Sequence, residues 1–361
     1  MRHALLVALF ALLGCGRPKA AAYAQAFAEG ERAETAGRFR DASERYDHAA
    51  AVAPNARERE HASYVAAKML LQSGDAARAA PRLSAIAAAT PPGEHAALAY
   101  FDLASYLIAR GDATIGWAEM EAMPSRFPTS ALARRALHRV LAHKDETLGA
   151  KASLAYLDGV RASLQTSDLE ETAAYERAVR LEVMESHDAA RAAFIALAEK
   201  WPCPFGALRD DALFHASEID ESSGRYAAAV ADLEELLADR EKASTMGTYQ
   251  RPRYTPAQWR MAVLFRDRLG DRARAREAFH RLYSDFDTSL LRDDALWEEA
   301  ALFRDDGNAN AGCARLSTLT HEFPDSRYVP CAEETCPSIK RLEKSHAPKT
   351  CHAYLRKADA K

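Results

Sequence analysis

A period of 37 residues constrains this chain more than any other feature of its sequence. Gly37, Gly74 and Gly111 lie 37 apart, and so do Pro54, Pro91 and Pro128. Each proline follows its glycine by 17 residues. In the stretch GRFRDASERYDHAAAVAP, Gly37 opens a turn, a helix-forming run follows, and Pro54 stops it. Proline has no amide hydrogen to continue a helix. A fixed period of this length marks an array of helical hairpins, each packed on its neighbours. An array also explains how 361 residues fold without one oversized core.

The pattern predicts about eight units. Residues 24–36 read as helix A of the first unit and residues 40–52 as its helix B. Unit two (57–93) places Gly74, Ala79, Leu83, Ile86 and Pro91 in the same slots, and unit three (94–130) places Gly111, Gly116, Met120, Met123 and Pro128 there. Unit four keeps Gly149 but has Thr166 where proline would stand. Unit five lacks the turn glycine yet keeps Ala190, Phe194, Leu197 and Pro202. Units six, seven and eight are marked by Gly224, Gly270 and Gly307. Gly224 to Gly270 is nine residues too long, which places an insertion near 245–253. The phrases Arg126-Phe127-Pro128-Thr129-Ser130, Asp285-Phe286-Asp287-Thr288-Ser289 and Glu322-Phe323-Pro324-Asp325-Ser326 join units, and their last residue suits the start of the next helix A.

The spacing Gly30…Ala42…Tyr46…Ala49…Pro54 resembles the tetratricopeptide (TPR) pattern, and Trp259 falls at its tryptophan position. The resemblance implies an all-α, right-handed TPR-like solenoid of about eight helix-turn-helix units over residues 20–330. Residues 331–361 would form a Cys-containing C-terminal cap. The Phe-Pro-x-Ser links are similar to those of bacterial envelope repeat lipoproteins, the BamD-type assembly lipoprotein and the Tol–Pal-associated CpoB/YbgF type. That likeness is one of repeat pattern and transfers no partner residue.

The N-terminus gives an address. Arg2 and His3 precede ten apolar residues, Ala4 to Leu13, too few to span a bilayer but suited to a secretory signal. The run ends in Leu12-Leu13-Gly14-Cys15, which resembles a bacterial lipobox. The resemblance implies removal of residues 1–14, a lipid on Cys15 and a tether over 15–19; an ordinary signal peptide with an incidental cysteine is the alternative. Gly16 rather than Asp after that cysteine leans toward the outer membrane over the inner.

Six aromatic residues recur about ten positions before the turns: Phe27, Tyr64, Phe101, Tyr175, Phe214 and Trp297. Arg139 and Arg260 take that place in units four and seven. The rings either line a groove for a partner helix or extended peptide, or form interhelical core. Glu34, Lys68, Glu182, Glu218, Glu221 and Arg304 would neighbour such a groove, or simply face water. Cys313, Cys331, Cys336 and Cys351 cluster near the C-terminus. In an oxidising compartment they read as disulfides with three possible pairings; free thiols or a zinc site with His352 are the alternatives. His138 and His143 are five apart, off the i, i+4 face of a helical metal pair.

With 48 basic against 52 acidic residues, the chain lacks the basic excess of a nucleic-acid binder. It carries no glycine-rich phosphate loop and no Gly-x-Ser-x-Gly. The expectation is a scaffold without catalytic residues, cofactor or metal, lipid-anchored on the periplasmic side and binding envelope proteins. An enzyme or accessory subunit of cell-wall metabolism is the alternative, as is a redox- or metal-dependent C-terminal module.

Overall fold

The computed structural model describes residues 18–238, 251–352 and Leu355, with side chains from Ala20 onward. The expected lipobox, and the expected insertion up to Gln250, lie outside these residues. The described residues are all helical or in turns and loops. The first compact unit runs to Ala173. It holds the pairs α1 (Pro18–Thr35) and α2 (Phe39–Val52), α3 (Ala56–Gln72) and α4 (Ala76–Ala87), α5 (Ala96–Arg110) and α6 (Ala113–Arg126), and α7 (Ala131–Thr147) and α8 (Ala150–Val160). A 3-10 turn, Arg161–Leu164, follows α8. The second unit begins at Ala174. It holds most of α9 (Glu170–Val183), paired with α10 (His187–Lys200), then α11 (Arg209–Ser222) and α12 (Tyr226–Ala238), α13 (Tyr254–Asp267) and α14 (Arg272–Asp285), and α15 (Arg292–Asp305) and α16 (Ala309–Glu322). The short α17 (Val329–Thr335) starts the cap. Helix α1 starts ahead of the expected Ala24, because Pro18 fits a first helical turn and an alanine-rich run follows.

Two side-chain columns build the core. Where helices A and B cross, helix B carries Ala42, Ala79, Gly116, Ser153, Ala190, Ala229, Ala275 and Gly312. All are buried. Small residues are required there: a Cβ on Gly116 would lie 2.6 Å from the Ile108 nitrogen, and one on Gly312 would lie 3.0 Å from the Ala300 carbonyl. One helical turn on come Tyr46, Leu83, Met120, Leu157, Phe194, Leu233, Phe279 and Leu316, none more than 2% exposed. These large residues fill the space that the small column leaves between backbones. In the first pair the fit is reciprocal, since a Cβ on Gly30 would meet the Tyr46 ring at 2.6 Å.

The A–B turns share one chemistry. Gly37, Gly74, Gly149, Gly224, Gly270 and Gly307 all have φ between +66° and +83°, where a Cβ is penalised. The amides of Gly37 and Arg38 donate to the Glu34 and Ala33 carbonyls at 2.8 and 2.9 Å, closing the end of α1. Two turns depart from the glycine pattern. Glu185 (φ +57°) makes the same turn in the α9/α10 pair, and the amides of Glu185 and Ser186 donate to Glu182 and Leu181 at 2.8 and 3.0 Å. The bonds of the turn hold an ordinary residue in the left-handed region. Gly111 is not left-handed (φ −117°); there the Asp112 carboxylate caps α6, accepting from Thr114 and Ile115 at 2.9 and 3.2 Å.

The linkers behave as their composition suggests. Ser130 caps α7 by accepting from the Leu132 amide at 3.2 Å, and Ser289 and Ser326 accept from Leu291 and Tyr328 at 3.1 and 3.3 Å.

Candidate functional site

The aromatic column is a layer between successive repeats rather than an open ladder. Tyr64, Phe101, Phe214 and Trp297 are buried, and Phe27 and Tyr175 are half-buried. Each ring is covered by a side chain from the following repeat. His61 lies over Phe27 (5.1 Å between ring centres), His95 against Tyr64 (5.1 Å) and Arg135 over Phe101 (5.3 Å) in the first unit. In the second unit His215 packs on Tyr175 (5.9 Å), Arg253 over Phe214 (4.8 Å) and Tyr328 stacks on Trp297 (4.9 Å). A flat ring on helix A is the surface against which the next repeat seats, and cationic or aromatic side chains are favoured on its face. Sequence reasoning found the rings and missed their partners, because the partner lies about one repeat away in an unmarked slot.

A second layer is made of charges one repeat apart. Arg57 donates to Glu94 at 2.5 Å, Arg82 to Asp47 at 2.9 Å, Arg253 to Asp211 at 2.6 Å, and Arg260 to Glu218 and Glu221 at 2.7 and 2.6 Å. The paired acids at the start of α11 and α15 also reach forward. Asp210 accepts from Arg251 at 3.1 Å, Asp293 from the Ser326 hydroxyl at 2.6 Å and Asp294 from the Tyr328 hydroxyl at 2.5 Å. Each exposed pair adds at most about 1 kcal/mol. Their collective effect is to fix which residues of adjacent repeats lie side by side.

Of the expected groove neighbours, Glu182, Glu218 and Glu221 belong to these cross-repeat layers, whereas Glu34 bonds within its own pair. Glu34 accepts from the Tyr46 hydroxyl at 2.7 Å, Glu182 lies 3.1 Å from His215, and Glu218 and Glu221 hold Arg260. Arg304 lies over the Trp297 ring at 5.6 Å and donates to the Thr335 hydroxyl at 3.3 Å. Lys68 is half-buried on α3. In the first unit the A helices show solvent both fully exposed polar residues, such as Arg59, Arg134 and Arg135, and half-covered ones, among them His61, Asp102, Ser105 and Arg139.

Two polar clusters were not legible in the sequence. In the first unit, His61 Nδ1 and His95 Nε2 are 3.0 Å apart, and the His95 amide donates to Glu60 at 2.7 Å. Burial lowers the His61 pKa, and the His95 ring adds to that. In the second unit, fully buried Asp220 accepts from Arg191 and Arg225, each at 2.7 Å, and buried Asp232 lies 3.4 Å from Arg191. Burial pushes the Asp232 carboxyl up to about 6, against the pull of Arg191 and with Asp220 adding to the rise.

Asp232 gives a pH test. An unfolded Asp titrates near 3.8, so between about 4 and 6 the folded chain binds a proton that the unfolded chain does not. Stability from this group therefore falls as pH rises through that window and stays low above it. Asp232→Asn, which imitates the protonated form, is expected to be more stable than wild type at pH 8 by on the order of 2 kcal/mol, with the difference fading near pH 4. Urea midpoints at the two pH values check this; a variant less stable at pH 8 would mean that the Arg191 contact outweighs the burial of charge.

A cavity of about 260 Å³ lies among α12, α13 and α14, with Met261, Phe265, Glu277 and Arg281 in its wall. Another, of about 390 Å³, lies between α16 and the chain after α17. Neither is lined by Asp210, Asp232 or Glu298, the carboxylates that burial pushes upward. Among the described residues, no group of three or more His, Cys, Asp or Glu is arranged to hold a metal ion. Likewise, among those residues no helix is long and apolar enough to cross a membrane.

The four C-terminal cysteines form two interleaved disulfides, Cys313–Cys336 and Cys331–Cys351, which selects one of the three pairings. They tie the chain after α17 to α16 through Cys313 and to α17 through Cys331, beside a common core of Trp297, Leu316, Leu319, Tyr328 and Ile339. Cys203 is in neither disulfide and lies half-buried in the loop after α10. Cys15 lies outside the described residues.

No protein-family model matches the chain, and no curated protein matches it. Among solved structures, the chain is similar to a kinesin light chain protein of Podosopora anserina with nearly identical TPR-like repeats, at 16% identity over 55% of this chain and 95% of that one, with a TM-score of 0.38. The TPR domain of P58(IPK) aligns at 13% identity over 87% of each chain with a TM-score of 0.25. Naa15/Naa10 bound to HypK-THB aligns at 14% identity over 91% of this chain and 59% of that chain, with a TM-score of 0.28. The fold rests on the chain's own geometry: with its small-residue crossings, left-handed turns and repeat-to-repeat packing, this is an all-α protein of TPR-like helix pairs.

Proposed function

We propose that the chain is a non-catalytic, lipid-anchored scaffold on the periplasmic face of the bacterial outer membrane, binding protein partners of the envelope. The observation that supports the scaffold reading is the cross-repeat stapling. Pairs such as Arg57–Glu94 in the first unit and Arg260–Glu218 in the second hold adjacent helix A surfaces in register. A surface held in that way can recognise a partner helix or extended segment without ordering itself on binding. The address rests on Leu12-Leu13-Gly14-Cys15, and two disulfides suit an oxidising compartment.

The address is tested by feeding a labelled fatty acid to bacteria that express the full chain. Label on wild type and none on Cys15→Ser, with release of the variant from the membrane fraction, is the expected result. Equal labelling would remove the anchor. The scaffold reading is tested by a photo-crosslinking residue placed at Arg135 or Lys68 in cells. One discrete adduct, identified as an envelope protein and competed by that protein when purified, is expected. Its absence at both positions would move binding off the helix A surface of the first unit.

A further inference from the structure

The two disulfides differ in how an attacking thiol could reach them. Cys331 and Cys351 are 2% and 5% exposed and sit inside the cap core, and Cys336 is 1% exposed. Cys313 is half-buried, and it forms part of the wall of the open 390 Å³ cavity. The rest of that wall is mixed, with Ala314, Ile339 and Leu342 as its apolar part and polar side chains between them. It includes Asn310, Ser317 and His321 from α16, with Ser338 and Lys340 from the chain after α17. Lys340 is the fixed charge among the lining residues, which include no carboxylate. Exchange at a disulfide needs a thiolate that can approach one sulfur, so access and local charge decide which bond opens.

We propose that the cavity is a thiol-exchange site, with Cys313 as the sulfur attacked and a small dithiol as its substrate class. A thiolate drawn in by Lys340 attacks Cys313 Sγ. The Cys313–Cys336 bond breaks and Cys336 leaves with the bonding pair as a thiolate. The second thiol of the reductant then attacks its own sulfur in the mixed disulfide. Cys313 is released, and the reductant departs oxidised as a cyclic disulfide. The two protons of the dithiol end on Cys313 and Cys336, so atoms and electrons balance. Cys331–Cys351 stays closed. The cap therefore remains tethered while α16 is freed from the chain that follows α17, and the cavity gains a reversible opening. This inference does not depend on the proposed partner or address.

The test uses the purified, oxidised full chain. Cysteines outside the disulfides are first blocked with unlabelled iodoacetamide. Limiting dithiothreitol is then added under native conditions, and new thiols are trapped with heavy iodoacetamide and assigned by peptide mass. Cys313 and Cys336 are expected to label about tenfold or more faster than Cys331 and Cys351. Equal rates, earlier opening of Cys331–Cys351, or no opening until urea unfolds the chain would overturn the proposal. Ser317→Trp, on the solvent side of α16, fills the cavity. It should slow opening about tenfold with unchanged thermal stability; an unchanged rate would mean that the cavity is not the route. Lys340→Glu should slow attack by the dithiothreitol thiolate, and should slow glutathione, which carries a further negative charge, about threefold more; no slowing of either would remove Lys340 from the site.

Discussion

Phe279→Ala is expected to lower the unfolding free energy of the second unit by about 4 kcal/mol. Phe279 is fully buried in α14, and its ring meets the Trp259 ring edge-on at 5.2 Å. It belongs to a core cluster that takes Leu213 and Leu233 from the preceding pair and Phe265 and Leu282 from its own. Truncation removes the ring and leaves a cavity that helices fixed by Ala257, Ala262 and Ala275 can hardly close, since those positions already pack backbone on backbone. Urea unfolding followed by tryptophan fluorescence measures the loss. A drop below about 1 kcal/mol would mean that the site collapses on truncation and that Phe279 does not fill a rigidly packed core. Phe205→Ala is the matched control. Its ring is 85% exposed in the loop after α10, so the change should stay within about 0.5 kcal/mol.

Removing the Cys331–Cys351 disulfide as a Cys331→Ala/Cys351→Ala double variant should destabilise the cap by about 3 kcal/mol. The bond closes a 20-residue separation. Without it, the chain after α17 is still held by the Arg341–Glu333 pair, by hydrogen bonds from Ser345 and His346 to Pro324 and Asp325, by the Cys313–Cys336 bond and by its packing around Trp297 and Tyr328. The loss should be local, because each repeat depends chiefly on its neighbours. Hydrogen exchange should quicken from Val329 onward and in α16, while α13 and α14 keep their protection. Uniform loss across the second unit would show that the cap and the stack unfold together.

The helix pairs were legible because their signals are local and repeat. Proline stops, turn glycines, and the small and large slots of helix B all lie within one period, so a count along the chain finds them. Glu185 escaped because its turn is held by bonds from its own amide and the next one, with no glycine to announce it. Gly111 misled for the converse reason: the residue type matched the slot, but the Asp112 cap set a different turn.

The aromatic column shows the limit most plainly. Spacing placed Phe27, Tyr64, Phe101, Tyr175, Phe214 and Trp297 in one slot, and nothing in that slot says whether a ring meets water or protein. The answer lay in His61, His95, Arg135, His215, Arg253 and Tyr328, at separations from 31 to 40 residues that follow no single period. The disulfide pairing was hidden likewise: four cysteines within 39 residues allow three connectivities, and the path of the chain around α16 selects one. The sequence by itself determined the repeated unit, because periodicity, turn conformation and steric size act within a few residues of one another. Only the tertiary structure decided which side chains of neighbouring repeats meet, because burial, ion pairing and sulfur pairing depend on distances through space that the order of residues does not record.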